Sequence, residues 1–389
     1  MSIRSLSRGF AILCLLGSGA VWAGKPPPPP PPPSGSACVN MGGDFPAMAY
    51  SRGVFAKSGT YQRTQFFVAN SLGNCEVMVY DTADYNGRPV NPSFHFDFGT
   101  SKGTLAWQQL KDNGNTPAGR VVKVAQFTVT NQVVDGLPLT ATTIYRFPTS
   151  LNTAIEGVAL SSDGGRVAFS EEHQAVSTGP WTLQVLICNV SVPATSDACQ
   201  ASLEPAFTVT STAIAGGTHE LTIGLDGGNR ERIYFIYRPG SASVGIADLV
   251  AVDRIGFQDW TPPNVVVDRE QQYINNPLVG DTKTYLDTPS ALSGTGSFDR
   301  ILLSSRNGTS ARARVDIFDT APIGGGLTHD VGTGYRPSWT MKPSIDSQAL
   351  NVLATKVLSL QPSAVQEIHL DGTLQTSLPA QGYGVDSAN

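Results

Sequence analysis

One short phrase, a turn followed by a basic or polar residue and an apolar strand, recurs five times in this sequence and limits the fold more than any other feature. The copies are Gly103–Gln108, Gly165–Ser170, Arg232–Tyr237, Arg300–Ser305 and Leu350–Thr355. β-Branched and aromatic residues dominate their apolar runs, and no segment keeps the three- and four-residue apolar spacing of a helix. Because one such unit cannot bury its own apolar face, the copies must pack on one another. The sequence therefore predicts an all-β repeat fold.

Two further strands accompany each copy of the phrase. The strand ahead runs into a turn, and Asp163-Gly164 and Asp226-Gly227 are typical hairpin sequences. The strand behind closes on an acidic or amide residue, which in successive units is Asp81, Asn189, Asp253, Asp319 and Asp371. The first of these belongs to an opening unit with earlier strands at residues 46–50 and 64–69. Six units of three or four antiparallel strands predict a six-bladed β-propeller over residues 38–389, with a seven-bladed propeller as the alternative.

Several of these phrases also carry a resemblance to a known family. Ser161–Ser170, Pro337-Ser338-Trp339 and the strand endings near Asp319 and Asp371 resemble the repeat of the TolB-like six-bladed propellers. The resemblance spans most of residues 45–375. It implies a similar propeller here, without the α/β domain that precedes the propeller of TolB. It does not imply a role in the Tol system.

The N-terminal residues are predicted to direct export. Residues 1–23 hold Arg4 and Arg8, an uncharged apolar stretch and a small-residue ending at Ala23, which is typical of a cleavable signal peptide. The stretch is shorter than the ~20 apolar residues of a membrane-spanning helix, so no membrane insertion is expected after cleavage. The alternative is a retained N-terminal anchor. Residues 24–37 follow as a proline-rich linker, a semi-rigid spacer, and the mature protein is expected to be periplasmic or secreted.

Four cysteines remain after the predicted cleavage site, an even number that suggests two disulfides in an exported chain. They are Cys38, Cys75, Cys188 and Cys199. Four cysteines can form two disulfides in three different ways. Cys188 and Cys199 flank a turn between two apolar stretches, so a bond between them would staple a hairpin and leave Cys38 to pair with Cys75. No Cys-x-x-Cys spacing indicates a metal site.

Composition excludes some classes of function. The net charge is −5 and only 15% of the residues are charged, so the chain lacks the basic footprint of a nucleic-acid-binding protein. No metalloprotease or EF-hand motif occurs. The main expectation is a monomeric binding or scaffold protein of the bacterial cell envelope, without catalytic residues, cofactor or metal. It would recognise an envelope or extracellular protein, or another ligand, at one propeller face.

Histidines provide the alternative, a metal-dependent polysaccharide lyase or hydrolase. Some TolB-like propellers that cleave oligogalacturonate hold a divalent metal in the axial channel with histidines from several blades, so the resemblance keeps such a metal open here. Aligning the units on their turn aspartates places Glu156 and His219 at equivalent positions, where the chain enters its innermost strand. With His95, these are the candidate binding residues at the channel mouth. In the competing interpretation the histidines are structural, with His173 and His329 in loops.

Overall fold

The computed structural model describes the chain in many separate ranges. They are residues 38–82, 92–109, 120–147, 152–154, 157–174, 176, 178–211, 220–225, 230–237, 248–269, 284–291, 300–307, 314–319, 327–333, 335–341, 350–355, 363–369 and 374–387. The predicted signal peptide and proline-rich linker lie outside these residues. In the described ranges, no helix has the length and apolar character needed to cross a membrane.

The described secondary structure is almost entirely β-strand. The first half contains β1 (Met48–Phe55), β2 (Tyr61–Ala69), β3 (Glu76–Asp81), β4 (Ser93–Asp97), β5 (Lys102–Gln109), β6 (Val121–Thr130), β7 (Val133–Val134), β8 (Ala141–Arg146), β9 (Asn152–Ala154), β10 (Val158–Leu160), β11 (Arg166–Gln174), β12 (Trp181–Asn189) and β13 (Glu204–Ser211). The second half contains β14 (Leu221–Leu225), β15 (Glu231–Tyr237), β16 (Asp248–Gly256), β17 (Asp259–Trp260), β18 (Asn264–Val267), β19 (Thr284–Ala291), β20 (Arg300–Asn307), β21 (Arg314–Asp319), β22 (Leu327–Thr333), β23 (Tyr335–Met341), β24 (Leu350–Thr355), β25 (Ser363–His369) and β26 (Leu374–Ser387). A short 3₁₀ helix spans Ala198–Ser202.

These strands form antiparallel sheets that follow one another along the chain. Four sheets are built around β4-β5-β6, β10-β11-β12-β13, β14-β15-β16 and β19-β20-β21-β22, with β8 and β18 pairing on the outer side of β6 and β16. A fifth, seven-stranded sheet has the order β23-β24-β25-β26-β1-β2-β3. Successive antiparallel sheets of this kind are the units of a β-propeller. The fold is therefore all-β and propeller-like.

A sheet that lies between two others buries both of its faces, one against each neighbouring sheet. In β11, Val167 and Phe169 belong to the apolar cluster shared with the preceding sheet, whereas Ala168 belongs to the cluster shared with the following sheet. Alternate residues of a strand point to opposite sides of a sheet, so one run of apolar residues serves two interfaces. This explains the nearly continuous apolar runs of the repeat.

The strand register confirms the repeat that the sequence predicted. Val158 lies opposite Phe169 in one sheet, and Leu221 lies opposite Phe235 in the next. Arg232 faces Asp253 across β15 and β16, and their side chains form an ion pair of 2.5 Å. In the following sheet, Arg300 is opposite Asp319 in the same register. The basic residue that opens the phrase and the acidic residue that closes the third strand are therefore cross-strand neighbours.

Hydrogen bonds from one sheet to the next connect the first strands. The backbone N–H of Leu160 donates to Oγ of Ser93 at 3.0 Å, and that of Ala291 donates to Oγ1 of Thr222 at 3.3 Å. The N–H of Phe94 donates to Oδ2 of Asp386 at 2.8 Å. Asp386 in β26 and Ser93 in β4 thus have equivalent roles, because the side chain of each accepts a hydrogen bond from the first strand of the next sheet. The two residues are nevertheless far apart in the sequence.

The opening unit differs from the sequence prediction in one respect. The strand ending at Asp81 was expected to be the third of its unit, but β26 pairs with β1 and lies ahead of it, so β3 is fourth in the order β26-β1-β2-β3. Met48 lies opposite Ser387 in this pairing. No local pattern marks such a distant partner.

The alternation of strands gives the molecule two opposite faces. The hairpin face is defined by the turns from first to second strand (residues 98–101 and 161–165) and from third to fourth strand (residues 70–75, 131–140 and 190–203). The entry face is the other end of the sheets, where each first strand begins. Gly157 and Glu220 immediately precede β10 and β14 there.

Both disulfides join the pairs that the hairpin argument favoured. Cys38 is bonded to Cys75, and Cys188 is bonded to Cys199. The second bond closes the loop from β12 to the 3₁₀ helix on the hairpin face. The loop rests on the preceding sheet, because the N–H of Ala194 donates to Oε1 of Gln126 at 2.8 Å.

Replacing Cys188 and Cys199 together by alanine is expected to lower the free energy of unfolding. The two cysteines are 11 residues apart, and a loop of that size is worth about 2–3 kcal/mol in the chain-entropy model. Denaturant unfolding without reductant measures this difference while the other disulfide stays closed. An unchanged midpoint and slope would show that the loop is held by packing alone.

Candidate functional site

Three titratable residues follow one another where β11 reaches the entry face. Glu171, Glu172 and His173 continue directly from the apolar run of the strand. Glu171 and Glu172 are buried, with 1% and 0% of their surface exposed. Buried carboxylates are rare unless their charge has a specific partner. We call this end of β11, together with the side chains that surround it, the entry-face cluster.

Glu171 and His173 form a carboxylate–imidazole pair. They are two residues apart in one strand, so both point to the same side of the sheet. Nδ1 of His173 lies 2.9 Å from Oε1 of Glu171, and 26% of the histidine side chain is exposed. Burial raises the pKa of Glu171, and the interaction with His173 only partly opposes this rise. The pair therefore joins a buried acid to a histidine that reaches solvent.

Two side chains from the preceding sheet complete the entry-face cluster. The ring of Tyr145 packs on Phe169 with 4.8 Å between centroids. Burial, and next the negative charge of Glu171, raise the pKa of Tyr145 to about 12, so its hydroxyl keeps its proton at physiological pH. Nε2 of Gln108 donates to the carbonyl oxygen of Gly157 at 2.7 Å. Its buried Oε1 has no hydrogen-bond partner among the described residues. Buried polar atoms without a hydrogen-bond partner are uncommon in native proteins.

The described residues that follow Glu156 and His219 in the sequence, Gly157 and Glu220, make equivalent backbone contacts. The N–H of Ser170 donates to the carbonyl of Gly157 at 3.1 Å, and the N–H of Ile236 donates to that of Glu220 at 3.2 Å. These two bonds are equivalent in consecutive sheets, so the backbone supports the alignment of the two repeats. Glu156 and His219 themselves lie outside the described residues, and their role at the channel mouth stays a prediction.

His95 lies in β4, near the hairpin face rather than beside Gly157. A β-carbon built on Gly164 would be only 2.5 Å from the His95 ring, so the ring sits directly against the turn of the next sheet. The adjacent residues 99–103 spell Gly-x-Ser-x-Gly, the pentapeptide of many serine hydrolases. They form the turn between β4 and β5, not the strand-to-helix turn that such a nucleophile needs.

His173 was not among the residues predicted for a site. His173 and His329 were expected in loops, but they lie within β11 and β22. The apolar run ends at Phe169, whereas the strand continues to Gln174 and pairs with both β9 and β12. Extending the two-residue alternation past the apolar run would have placed Glu171 and His173 on one side of the strand.

A second charged cluster, the ionic quartet, joins neighbouring sheets. Arg166 contacts Glu204 at 3.1 Å and also Glu231, and Arg254 contacts Glu204 at 2.8 Å. Two cations and two anions balance each other, so the quartet needs no ligand to neutralise it. Its role is to hold β11, β13, β15 and β16 together.

The divalent metal that the family resemblance implies would need several converging ligands. Among the described residues, no group of three or more histidine, cysteine, aspartate or glutamate side chains is close enough to hold a metal ion.

No known family model matches the sequence, and no curated protein sequence does. Several solved structures show a distant similarity. An α-L-arabinofuranosidase from Fusarium graminearum is 10% identical, with 82% of this chain and 90% of that chain covered and a TM-score of 0.44. Trypanosoma rangeli sialidase is 9% identical, with 85% and 54% covered and a TM-score of 0.47. An oligogalacturonate lyase from Vibrio parahaemolyticus is 8% identical, with 85% and 78% covered and a TM-score of 0.43. Similarities this remote assign no activity to the chain.

Proposed function

We propose that this protein is an exported β-propeller enzyme in which His173, held by Glu171, transfers a proton on a polysaccharide. The observation that carries the proposal is the contact between the buried carboxylate and the partly exposed imidazole at the entry face. Histidine is the side chain best suited to proton transfer near neutral pH. The substrate class rests on the resemblance to propellers that cleave oligogalacturonate, and export rests on the signal peptide predicted from residues 1–23.

Each residue of the pair has a separate role in this mechanism. Nδ1 of His173 lies next to Glu171, which leaves Nε2 as the nitrogen that accepts a proton from the substrate or from water. The carboxylate holds the ring and stabilises the imidazolium that forms, as in carboxylate–histidine pairs of hydrolases. Tyr145 keeps its proton and lies near Glu171, so it limits the approach of water to the carboxylate. Glu171 is a positioning residue, and His173 is the residue proposed to touch the substrate.

We further propose that the propeller has six blades and is TolB-like. The contacts between first strands run from β26 to β4, β10, β14, β19 and β23, and β23 lies against β26 again. In this arrangement residues 383–387 form the innermost strand of the first blade, and residues 374–382 form the outermost strand of the last. The C-terminal strand would then close the ring.

Activity of the variant His173→Gln tests the enzyme proposal. Mature protein is incubated with polygalacturonate and other polysaccharides, while absorbance detects the unsaturated ends that a lyase leaves and a reducing-end assay detects hydrolysis. We expect kcat to fall about 10²- to 10⁴-fold in the variant, as for loss of a general base, with little change in KM. Glutamine keeps much of the size of the ring but cannot exchange a proton.

Gln184→Ala is the matched control. Gln184 lies on β12 in the same sheet, and Nε2 of its exposed side chain donates to Thr208 at 3.3 Å. This variant should keep full activity. Equal activity of His173→Gln and wild type on every cleaved polysaccharide would refute the assignment, and so would a parallel loss in both variants.

A further inference from the structure

Exposed apolar side chains are concentrated on the hairpin face. Of the nine large apolar side chains that are exposed among the described residues, seven lie on or next to loops and turns of this face. They are Val39, Met41, Leu72, Phe98, Val192, Ile255 and Phe257. The entry face has only Val176 from this set. Phe257 is 78% exposed and Val192 is 72% exposed. Single exposed apolar side chains are ordinary on a protein surface, but their concentration on one face is typical of an interaction surface.

The loops that carry these side chains are held in place by a tight turn and by the two disulfides. Residues 255–258 form a hairpin tip between β16 and β17, in which Gln258 has a φ of 57°. The Cys188–Cys199 bond fixes the loop that carries Val192. The Cys38–Cys75 bond fixes the segments that carry Val39, Met41 and Leu72. Side chains on braced loops lose little conformational entropy when a partner binds, which favours recognition.

An open pocket lies within the same face. Its volume is about 550 Å³, and it lies between β5, β6 and the loop after β7 on one side and Val192-Pro193 on the other. Phe127 and Leu139 form an apolar floor. A β-carbon on Gly103 would be 2.2 Å from the Phe127 ring, so glycine at this position makes room for that floor. A pocket of this kind accepts one aliphatic or aromatic anchor residue of a partner.

Charge on the hairpin face indicates the chemistry of the partner. Carboxylates of Asp97, Asp135, Asp163 and Asp259 lie on or next to its described turns, whereas that of Asp197 is paired with Arg146 at 3.5 Å. Lys102 is the exposed cation at the pocket, whereas the arginines of the ionic quartet are already neutralised. An acidic surround disfavours anionic lipid and favours a cationic protein.

We infer that the hairpin face binds an envelope or extracellular protein through a basic segment with an apolar anchor residue that enters the pocket. This interaction is independent of the proposed activity, because the entry-face cluster lies at the opposite ends of the same strands. The chain would then hold its substrate at one face and its partner at the other.

Binding of two labelled peptides to the mature protein tests the inference. One peptide alternates lysine and leucine around a central phenylalanine, and the other has glutamate in place of every lysine. Fluorescence anisotropy should show that the lysine peptide binds more than about tenfold tighter. Phe257→Ser and Val192→Ser should each weaken its binding about tenfold, which is more than most interface residues contribute. Val176→Ser, on the entry face, should leave binding unchanged, and thermal melts confirm that all three variants fold.

Several outcomes would overturn the inference. Equal affinity for both peptides, or equal effects of all three variants, would show that the face does not select a basic apolar segment. Concentration-dependent self-association that Phe257→Ser abolishes would show that the face is covered by a second copy of this chain. Sedimentation with neutral lipid vesicles that depends on Phe257 would assign the face to a membrane surface.

Discussion

A protein that lacks residues 383–389 is expected to be less stable by about 5 kcal/mol or more, or to fail to fold, because the deletion removes the strand segment that pairs with β1 on the side opposite β2. Met48, Ala49 and Tyr50 have 0% exposure and lie opposite Ser387, Asp386 and Val385. Uncovering two large side chains costs about 1.5–3 kcal/mol each, and the ladder bonds and the contacts of Asp386 with Ser93 and Phe94 are lost as well. A typical domain has only about 5–15 kcal/mol of stability in total.

Thermal and denaturant unfolding measure this effect. The matched control is deletion of residues 388–389 alone, which leaves β26 intact and should not change the midpoint. A variant without residues 383–389 that unfolds at the wild-type midpoint, with the wild-type denaturant slope, would show that β26 does not close the sheet. The proposed six-bladed ring would then be wrong.

Glu171→Gln is expected to lower activity and raise stability at once. Burial raises the pKa of Glu171, so the folded protein binds a proton more tightly there than the unfolded chain does. Stability is therefore lost as pH rises from about 4.3, the unfolded value, through the raised pKa of the folded state. Glutamine removes the buried charge, and above that window it should stabilise the protein by about 1–2 kcal/mol. Below the window, where the carboxyl is protonated, the two proteins should be nearly equal in stability.

The activity of the same variant should fall about 10²- to 10⁴-fold, because an amide cannot stabilise the imidazolium of His173. Unfolding curves across the pH range, together with kcat, distinguish a role of Glu171 in catalysis from a role in folding alone. A residue retained only for folding would lose stability when replaced, so a destabilised Glu171→Gln variant with normal kcat would refute the assignment.

Glu204→Gln is expected to change stability in the opposite direction from Glu171→Gln. Glu204 is also buried, but it contacts both Arg166 and Arg254 in the ionic quartet. Its replacement leaves two arginines with one carboxylate and should destabilise the fold by about 3 kcal/mol. The two substitutions are chemically identical, so their opposite effects would reflect the surroundings of each carboxylate.

The parts of the fold that could be predicted from sequence are those determined by residues close together in the chain. The apolar run Val167–Phe169 and the turn at Asp163-Gly164 are local signals, and they predicted the strands and hairpins of the repeat. The cross-strand pair Arg232–Asp253 follows from the same short spacing. Cys188 and Cys199 could be paired because a single turn separates them.

The candidate site depends on information that no short segment holds. Glu171 and His173 become a buried pair only because another sheet, with Tyr145 and Gln108, covers that side of β11. The sequence alone makes such polar residues look like the start of a loop. The pairing of β1 with β26 has the same origin, since the register between Met48 and Ser387 leaves no mark in either strand.

That pairing also sets the order in which the protein can mature. During synthesis from N-terminus to C-terminus, β1 is made early, and one of its edges stays uncovered until residues 383–387 have been added. Contacts so distant in sequence form slowly, and an uncovered strand edge favours aggregation in the meantime. Folding of the first sheet is therefore completed only when residues 383–387 are available to pair with β1.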